Sequence, residues 1–469
     1  MDRQLYEKIT NLRKSGRLAE AWSLARPSAE ANPQDPYAKS ALFWVCYDYL
    51  KEVQNGIKER AKRNNGDHSS NPSELQRVNS FLDWIAWLNI PSGGIEYRSL
   101  IRQFRKNLEY LPKLILLSAS QFTDLFEDKD KEPYEAPKGE SPSLMLTFAR
   151  KTAKAWRGDE NVRQQLTIDQ ICEIFAKTRR EAKDKQNRIW LDYDEAKCLI
   201  FAKRFAQARD YILPVLRKKQ GNSWAWHVLA MTFYEEDPAV AIVLLSKAIC
   251  VSGEDSFALP MLKEIAPLLV KQEFVDEGSM CVKRATDCYI SNGWKIKPDL
   301  ERLINEPWYN KGVDLSFLPT FLQEQAATAP NYLFGELTSQ VAIVEFIHAS
   351  GKGFHAYLSK EKSVPVRRGI VKSGKLPSPG DYVRLTMSAE DKTVIAAESC
   401  DSEDLDKVGR AQGTLKITDK GFGFVDRTFV PSSLIQDEMH GKSVSVLWVV
   451  SFDKKKKKFG RKALKIDVL

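Results

Sequence analysis

The sequence predicts a multidomain chain: an all-α helical-repeat domain at the N-terminus, followed by two small all-β barrels. Three observations carry that expectation. Apolar residues recur at helical spacing up to about residue 330. Beyond it they fall into short alternating runs bounded by Gly and Pro. The 469 residues also suffice for roughly three domains at the usual ~100–200 residues each.

Taken in order, residues 4–15, 18–31, 37–63, 74–89, 95–110, 142–157, 167–184, 188–202, 205–217, 223–234, 238–250, 257–271 and 273–291 read as amphipathic helices. Asn64 to Pro72 and Glu127 to Pro142, rich in turn formers and charge, read as exposed loops. In the next unit, Val341 to Phe346, Tyr382 to Thr386 and Thr393 to Ala397 fit strands, with turns at 350–353 and 377–381. An acidic link, Asp401 to Asp406, precedes strands at 412–418, 421–426, 428–430, 443–451 and 459–466. Five short strands in so few residues have the size and rhythm of an OB-type barrel. The domains are therefore expected at 1–330, 331–400 and 409–469.

Composition narrows the classes. Charged residues are 28% and hydrophobic residues 43%, ordinary for a folded protein. The seven cysteines lack any C-x-x-C pair, which points to small buried hydrophobes in a reducing compartment. The five histidines form no ligand-spaced cluster, so no metal site and no cofactor are expected. The start lacks the apolar stretch of a signal peptide, and apolar runs such as Ala239 to Leu245 fall far short of the ~18 residues that span a bilayer. A cytoplasmic protein without membrane contact follows.

The helical region carries a weak internal repeat. Gly16-Arg17-Leu18-Ala19-Glu20-Ala21, then Ala25 and Asn32-Pro33, resembles the second helix of a tetratricopeptide repeat and its closing proline. Trp190-Leu191 and Trp224-Ala225 lie 34 residues apart, the period of that family. Ala206 and Ala208, Ala239 and Ala241, and Gly278 are the small residues expected where paired helices approach closely. An irregular helical domain with coincidental spacing is the alternative.

The sharpest local signal is Lys420-Gly421-Phe422-Gly423-Phe424-Val425, followed by Phe429-Val430-Pro431. With period-two alternation, Phe422 and Phe424 share one face of a strand. Exposed rings side by side suit stacking on the bases of a single strand, at roughly 1–3 kcal/mol each. Here the chain resembles the cold-shock domain family, and the resemblance implies an aromatic platform for single-stranded nucleic acid. Carried over, it makes Phe422, Phe424 and Phe429 stacking residues, Lys416 and Lys420 phosphate contacts, and Leu415 core. The chain departs from the family at Ile417-Thr418, where an aromatic pair is usual, and at Pro431, where a histidine is usual.

Charge supports the same region. Residues 409–469 hold 13 Lys/Arg against 6 Asp/Glu, whereas residues 1–330 hold 48 against 45, so most of the net +9 sits in the last unit. Lys454, Lys455, Lys456, Lys457 and Lys458 form a run expected to attract a polyanion. In the preceding unit, Gly351-Lys352-Gly353-Phe354-His355-Ala356-Tyr357 resembles the same motif in diverged form, leaving Phe354 as its one stacking aromatic.

Other patterns carry no chemistry. His440-Gly441-Lys442-Ser443 ends like a phosphate-binding loop, but the glycine required five positions earlier is Gln436. Trp84, Trp87, Trp190, Trp224 and Trp226 read as helix packing, and Glu235-Glu236-Asp237 as a solvated loop. No nucleophile elbow or dinucleotide fingerprint is present, so an enzyme is not expected. The reading is a bacterial adaptor: the last barrel binds single-stranded RNA or DNA with low sequence specificity, and the helical repeats bind an unidentified protein partner. The rival is a protein-interaction scaffold whose barrels have lost their ligand, which Ile417, Thr418, Pro431 and Ala356 favour.

Overall fold

The computed structural model describes residues 1–469 apart from 64–70, 92, 93, 137, 138, 391 and 454–456, and apart from the side chains of 61–63, 437 and 453. Two compact units result, Met1–Ala327 and Thr328–Leu469.

Among the described residues the first unit holds seventeen α-helices. Leu18–Ala31 and Pro238–Cys250 have the bounds expected from their apolar spacing. Local chemistry fixes where helices begin. At Ile168–Glu181, the Thr167 hydroxyl accepts from the Gln170 N–H while the Gln170 side chain accepts from the Thr167 N–H at 2.8 Å, a capping box. Asp237 accepts from the Val240 N–H at 3.1 Å ahead of Pro238. Glu235 and Glu236 pair with Lys203 at 2.7 Å and Arg209 at 2.9 Å, so the expected solvated acidic loop is a cap flanked by ion pairs.

Three successive helix pairs follow one another in this unit: Arg188–Phe201 with Phe205–Lys218, Ser223–Met231 with Pro238–Cys250, and Asp255–Lys271 with Val275–Ser291. The Trp190 and Trp224 rings lie 5.1 Å apart, and Tyr193 meets Trp224 edge-on at 4.8 Å. Ala208 and Ala241 are buried, as close helix approach requires, but Ala206 and Ala239 are exposed on the opposite face. A Cβ on Gly278 would meet Val270 Cγ2 at 2.7 Å and Ala266 O at 3.0 Å, so only glycine lets those two helices close up. Trp226 is fully enclosed, whereas Trp87 stays about half exposed. Cys46, Cys198, Cys281 and Cys288 are buried, but Cys250 lies at the surface.

Pro112–Ala119, Glu160–Gln165, Pro298–Ile304 and Leu318–Ala326 are helices that the apolar pattern does not mark, because about two turns establish no period. The loop expected at 127–142 contains a small ribbon of β1 (Tyr134–Ala136) and β2 (Gly139–Ser141). No helix among the described residues is long and apolar enough to cross a membrane.

In the second unit the first sheet comprises β3 (Leu337–Ile347), β4 (Gly353–Ser359), β5 (Lys362–Arg367), β6 (Tyr382–Ser388) and β7 (Val394–Ser399), ordered β5-β4-β3-β6-β7. A parallel bridge from Val371, beyond β5, to Ala397 on β7 brings the two ends together. The second sheet comprises β8 (Val408–Thr414), β9 (Lys416–Ile417), β10 (Gly423–Val425), β11 (Thr428–Val430), β12 (Ser443–Asp453) and β13 (Lys458–Val468). Its order, β8-β12-β13-β11-β10-β9, starts and ends on one run broken only at Leu415. Both sheets thus run strand one to two to three, one to four, and four to five, with parallel contact between three and five, the path of an OB-like barrel.

Each barrel has its own core, one around Val344, Phe354, Val366 and Leu385, the other around Leu415, Val425, Val430 and Val446. A further cluster joins the barrels: Ile343 and Tyr357 of the first against Leu447, Val449 and Leu464 of the second. At roughly 1.5–3 kcal/mol for each large apolar side chain buried, this contact holds the two as one body. The acidic stretch between them is tied down as well, with Glu403 paired to Arg384 at 2.6 Å and Leu405 against the shared cluster.

Candidate nucleic-acid interface

The hairpin from Ile417 to Gly423 sets the site. The Thr418 N–H and hydroxyl both donate to Phe422 O at 2.8 Å, and Gly421 turns the chain at φ +75°, a conformation that favours glycine. Gly423 then faces inward, where a Cβ would stand 2.9 Å from both Leu415 Cδ1 and Lys416 O. The two glycines therefore serve the turn and the core. Leu415 and Val425 are fully buried.

With Gly423 and Val425 inside, Phe422 and Phe424 point outward and are partly exposed. Phe429 is the register partner of Phe424 on the neighbouring strand. The three rings form one cluster: Phe422 to Phe429 is 5.5 Å, Phe422 to Phe424 is 5.8 Å and Phe424 to Phe429 is 6.0 Å. Such edge and tilted contacts leave faces available.

Two cations border the rings. Lys416 is exposed and pairs in register with Phe424 on the other side, while Lys420 stands exposed at the hairpin turn. Neither enters an ion pair among the described residues. Lys454, Lys455 and Lys456 lie outside the described residues. Lys457 and Lys458 are exposed at the β12–β13 hairpin, away from the hairpin that carries Phe422.

Phe354 departs from expectation. It is fully buried in the first barrel's core with Ala356, so no face of its ring is open to a base. The motif match is one residue out of phase: His355 holds the outward position in β4 that Phe424 holds in β10, and a one-residue slip exchanges the two faces of a strand.

Several flanking residues escape the sequence reading. Phe452 and Phe459 face each other across the β12–β13 hairpin at 5.2 Å, about half exposed, with Lys360 Nζ 5.9 Å from the Phe459 ring. Arg461 lies over Trp448 at 4.3 Å. Lys462 is the register partner of Phe429 and pairs with Glu345 at 3.3 Å. Flanking strands of alternating aromatic and basic residues were the available signal. The dismissed segment at His440 has a structural use: its Nδ1 accepts the Ile417 N–H at 3.2 Å, beside the break at Leu415.

Residues 410–466, which span the second barrel, match the family model described as S1/CSD-like domain 2 of the TOTE conflict systems. Residues 189–329, covering the paired helices, match a domain of unknown function, DUF7017. No curated protein matches the chain.

Proposed function

We propose that the chain is a nucleic-acid-binding adaptor, holding single-stranded RNA or DNA with low sequence specificity on its C-terminal barrel. One observation carries the reading: Phe422, Phe424 and Phe429 form a clustered outward platform flanked by Lys416 and Lys420, which enter no ion pair among the described residues. Rings of this kind stack on any base, and lysines neutralise any phosphate, so affinity comes without a sequence code. The likeness of 410–466 to an S1/CSD-like domain of conflict systems supports an OB-type fold suited to the same ligand class. The helical unit would then serve as the protein-binding half, as stacked helix pairs commonly do. In this reading the chain is not an enzyme and uses no cofactor.

The rival scaffold reading rests on Ile417, Thr418 and Pro431, which leave the platform smaller than in the family it resembles. A fluorescence-anisotropy titration of the full chain with an unstructured oligonucleotide at low salt separates the two. Binding that falls when Phe422 and Phe424 are both replaced by Ala supports the adaptor. Absent binding, or binding indifferent to that change, supports the scaffold.

A further inference from the structure

The outward face of the first barrel carries aromatic groups that no reading above uses. Phe346 is 42% exposed, and the His355 ring stacks on it at 4.7 Å with 15° between the planes. His348 closes the group, 5.2 Å from His355 and 6.1 Å from Phe346. A bulge between Val344 and Phe346 turns Phe346 onto this face.

The group is continuous with the platform of the second barrel. Phe429 and Lys462 are partners on adjacent strands, roughly 4.8 Å apart at the backbone, and share a face. The Lys462 Nζ in turn lies 5.9 Å from the Phe346 ring. Phe429, Lys462 and Phe346 therefore follow one another across the line where Ile343 and Tyr357 pack on Val449 and Leu464. Glu345, an acid on this path, is only 12% exposed at its side chain and is engaged by Lys462 at 3.3 Å and the Ser363 hydroxyl at 3.2 Å. Arg367, exposed and paired in register with Gly353 beside His355, lies at the far end. Burial and neighbouring His348 lower the His355 imidazole from its ordinary value, which favours the neutral ring against Phe346.

We infer that Phe346 and His355 form a second base-stacking subsite, reached across Lys462 by the same single strand that occupies Phe422, Phe424 and Phe429. The subsite rests on the proposed function, and it converts a platform of one barrel into a track over two. Polyanion chemistry suits it, because the aromatic groups alternate with cations along the path.

Ligand length is the test. One OB barrel covers on the order of four nucleotides at minimum, whereas a strand of about twelve reaches both subsites. Fluorescein-labelled oligo-dT and oligo-rU of these two lengths are titrated into the full chain. Phe346→Ala with His355→Ala should weaken the longer strand about tenfold or more and leave the shorter one within about twofold. Phe346→Trp, which keeps a ring, should retain the longer strand. Unchanged affinity for the longer strand, equal weakening of both lengths, or loss of binding by the Trp variant each overturn the subsite while leaving the C-terminal platform standing. Failure of the unaltered chain to bind either length overturns the platform and the subsite together.

Discussion

The two barrels share one strand path and differ at the positions that face outward. Across strands one, two and three, the C-terminal barrel presents Lys416, Phe424 and Phe429, whereas the preceding barrel presents Phe346, His355 and Pro365. Inward, the exchange is reversed: the first barrel buries Phe354 where the second buries Gly423. A phenylalanine in a glycine-rich strand is therefore either core or contact, and the phase of the strand decides which. Motif and fold can both be present while the functional side chain points the wrong way.

The sharpest way to break this comparison is to delete the equivalent-looking phenylalanines. Phe422→Ala with Phe424→Ala should weaken oligonucleotide binding by at least about 30-fold, given ~1–3 kcal/mol per stacked base, and leave the melting temperature nearly unchanged. Phe354→Ala should do the opposite, costing about 3–5 kcal/mol of stability in a denaturant titration. Equal effects of the two changes on binding would show that burial does not separate their roles.

A smaller effect is expected at the inward position of the second barrel. Gly423→Val forces a side chain against Leu415 and Lys416 O, and overpacking of this kind costs typically about 1–3 kcal/mol, read as a lower unfolding midpoint. Electrostatics should be weaker still. Replacing Lys416 and Lys420 together by Gln should reduce the slope of log affinity against log salt by about 1.4, at ~0.7 per single-strand phosphate contact. An unchanged slope removes these lysines from the interface. Least of all, His355→Phe, which makes the outward residue of β4 the same type as that of β10, should tighten binding of a strand of about twelve nucleotides by roughly threefold.

The fold was legible where one face is buried and the other wet. Helices such as Leu18–Ala31 announce themselves by an apolar stripe, and the Phe422 to Val425 alternation gives both a strand and its outward face. β4 and β5 were not legible. Gly353–Ser359 buries Phe354 and Ala356 in its own barrel and Tyr357 against the other, so no alternation survives. Lys362–Arg367 contains Pro365, which marks a run as unfit for a strand unless it lies at an edge, as β5 does. Phe346 was readable as part of a strand, but its direction was not, because a bulge alters the phase one residue earlier. The Trp190 and Trp224 rings meet, whereas of the small residues expected at the helix contacts Ala206 and Ala239 turn outward.

If one strand lies across both barrels, the cluster of Ile343, Tyr357, Leu447, Val449 and Leu464 fixes the separation at which its two ends are met. Two stacking surfaces on a flexible tether would meet a strand at a range of separations, and affinity would rise gradually with each added nucleotide. Surfaces welded through a shared apolar seam sit at one separation, so the second engagement is intramolecular at a fixed effective concentration, and only strands long enough to bridge the gap gain from it. Under the proposed function, the seam would make the pair of barrels a gauge with a threshold, indifferent to base identity and responsive to the length of unpaired strand.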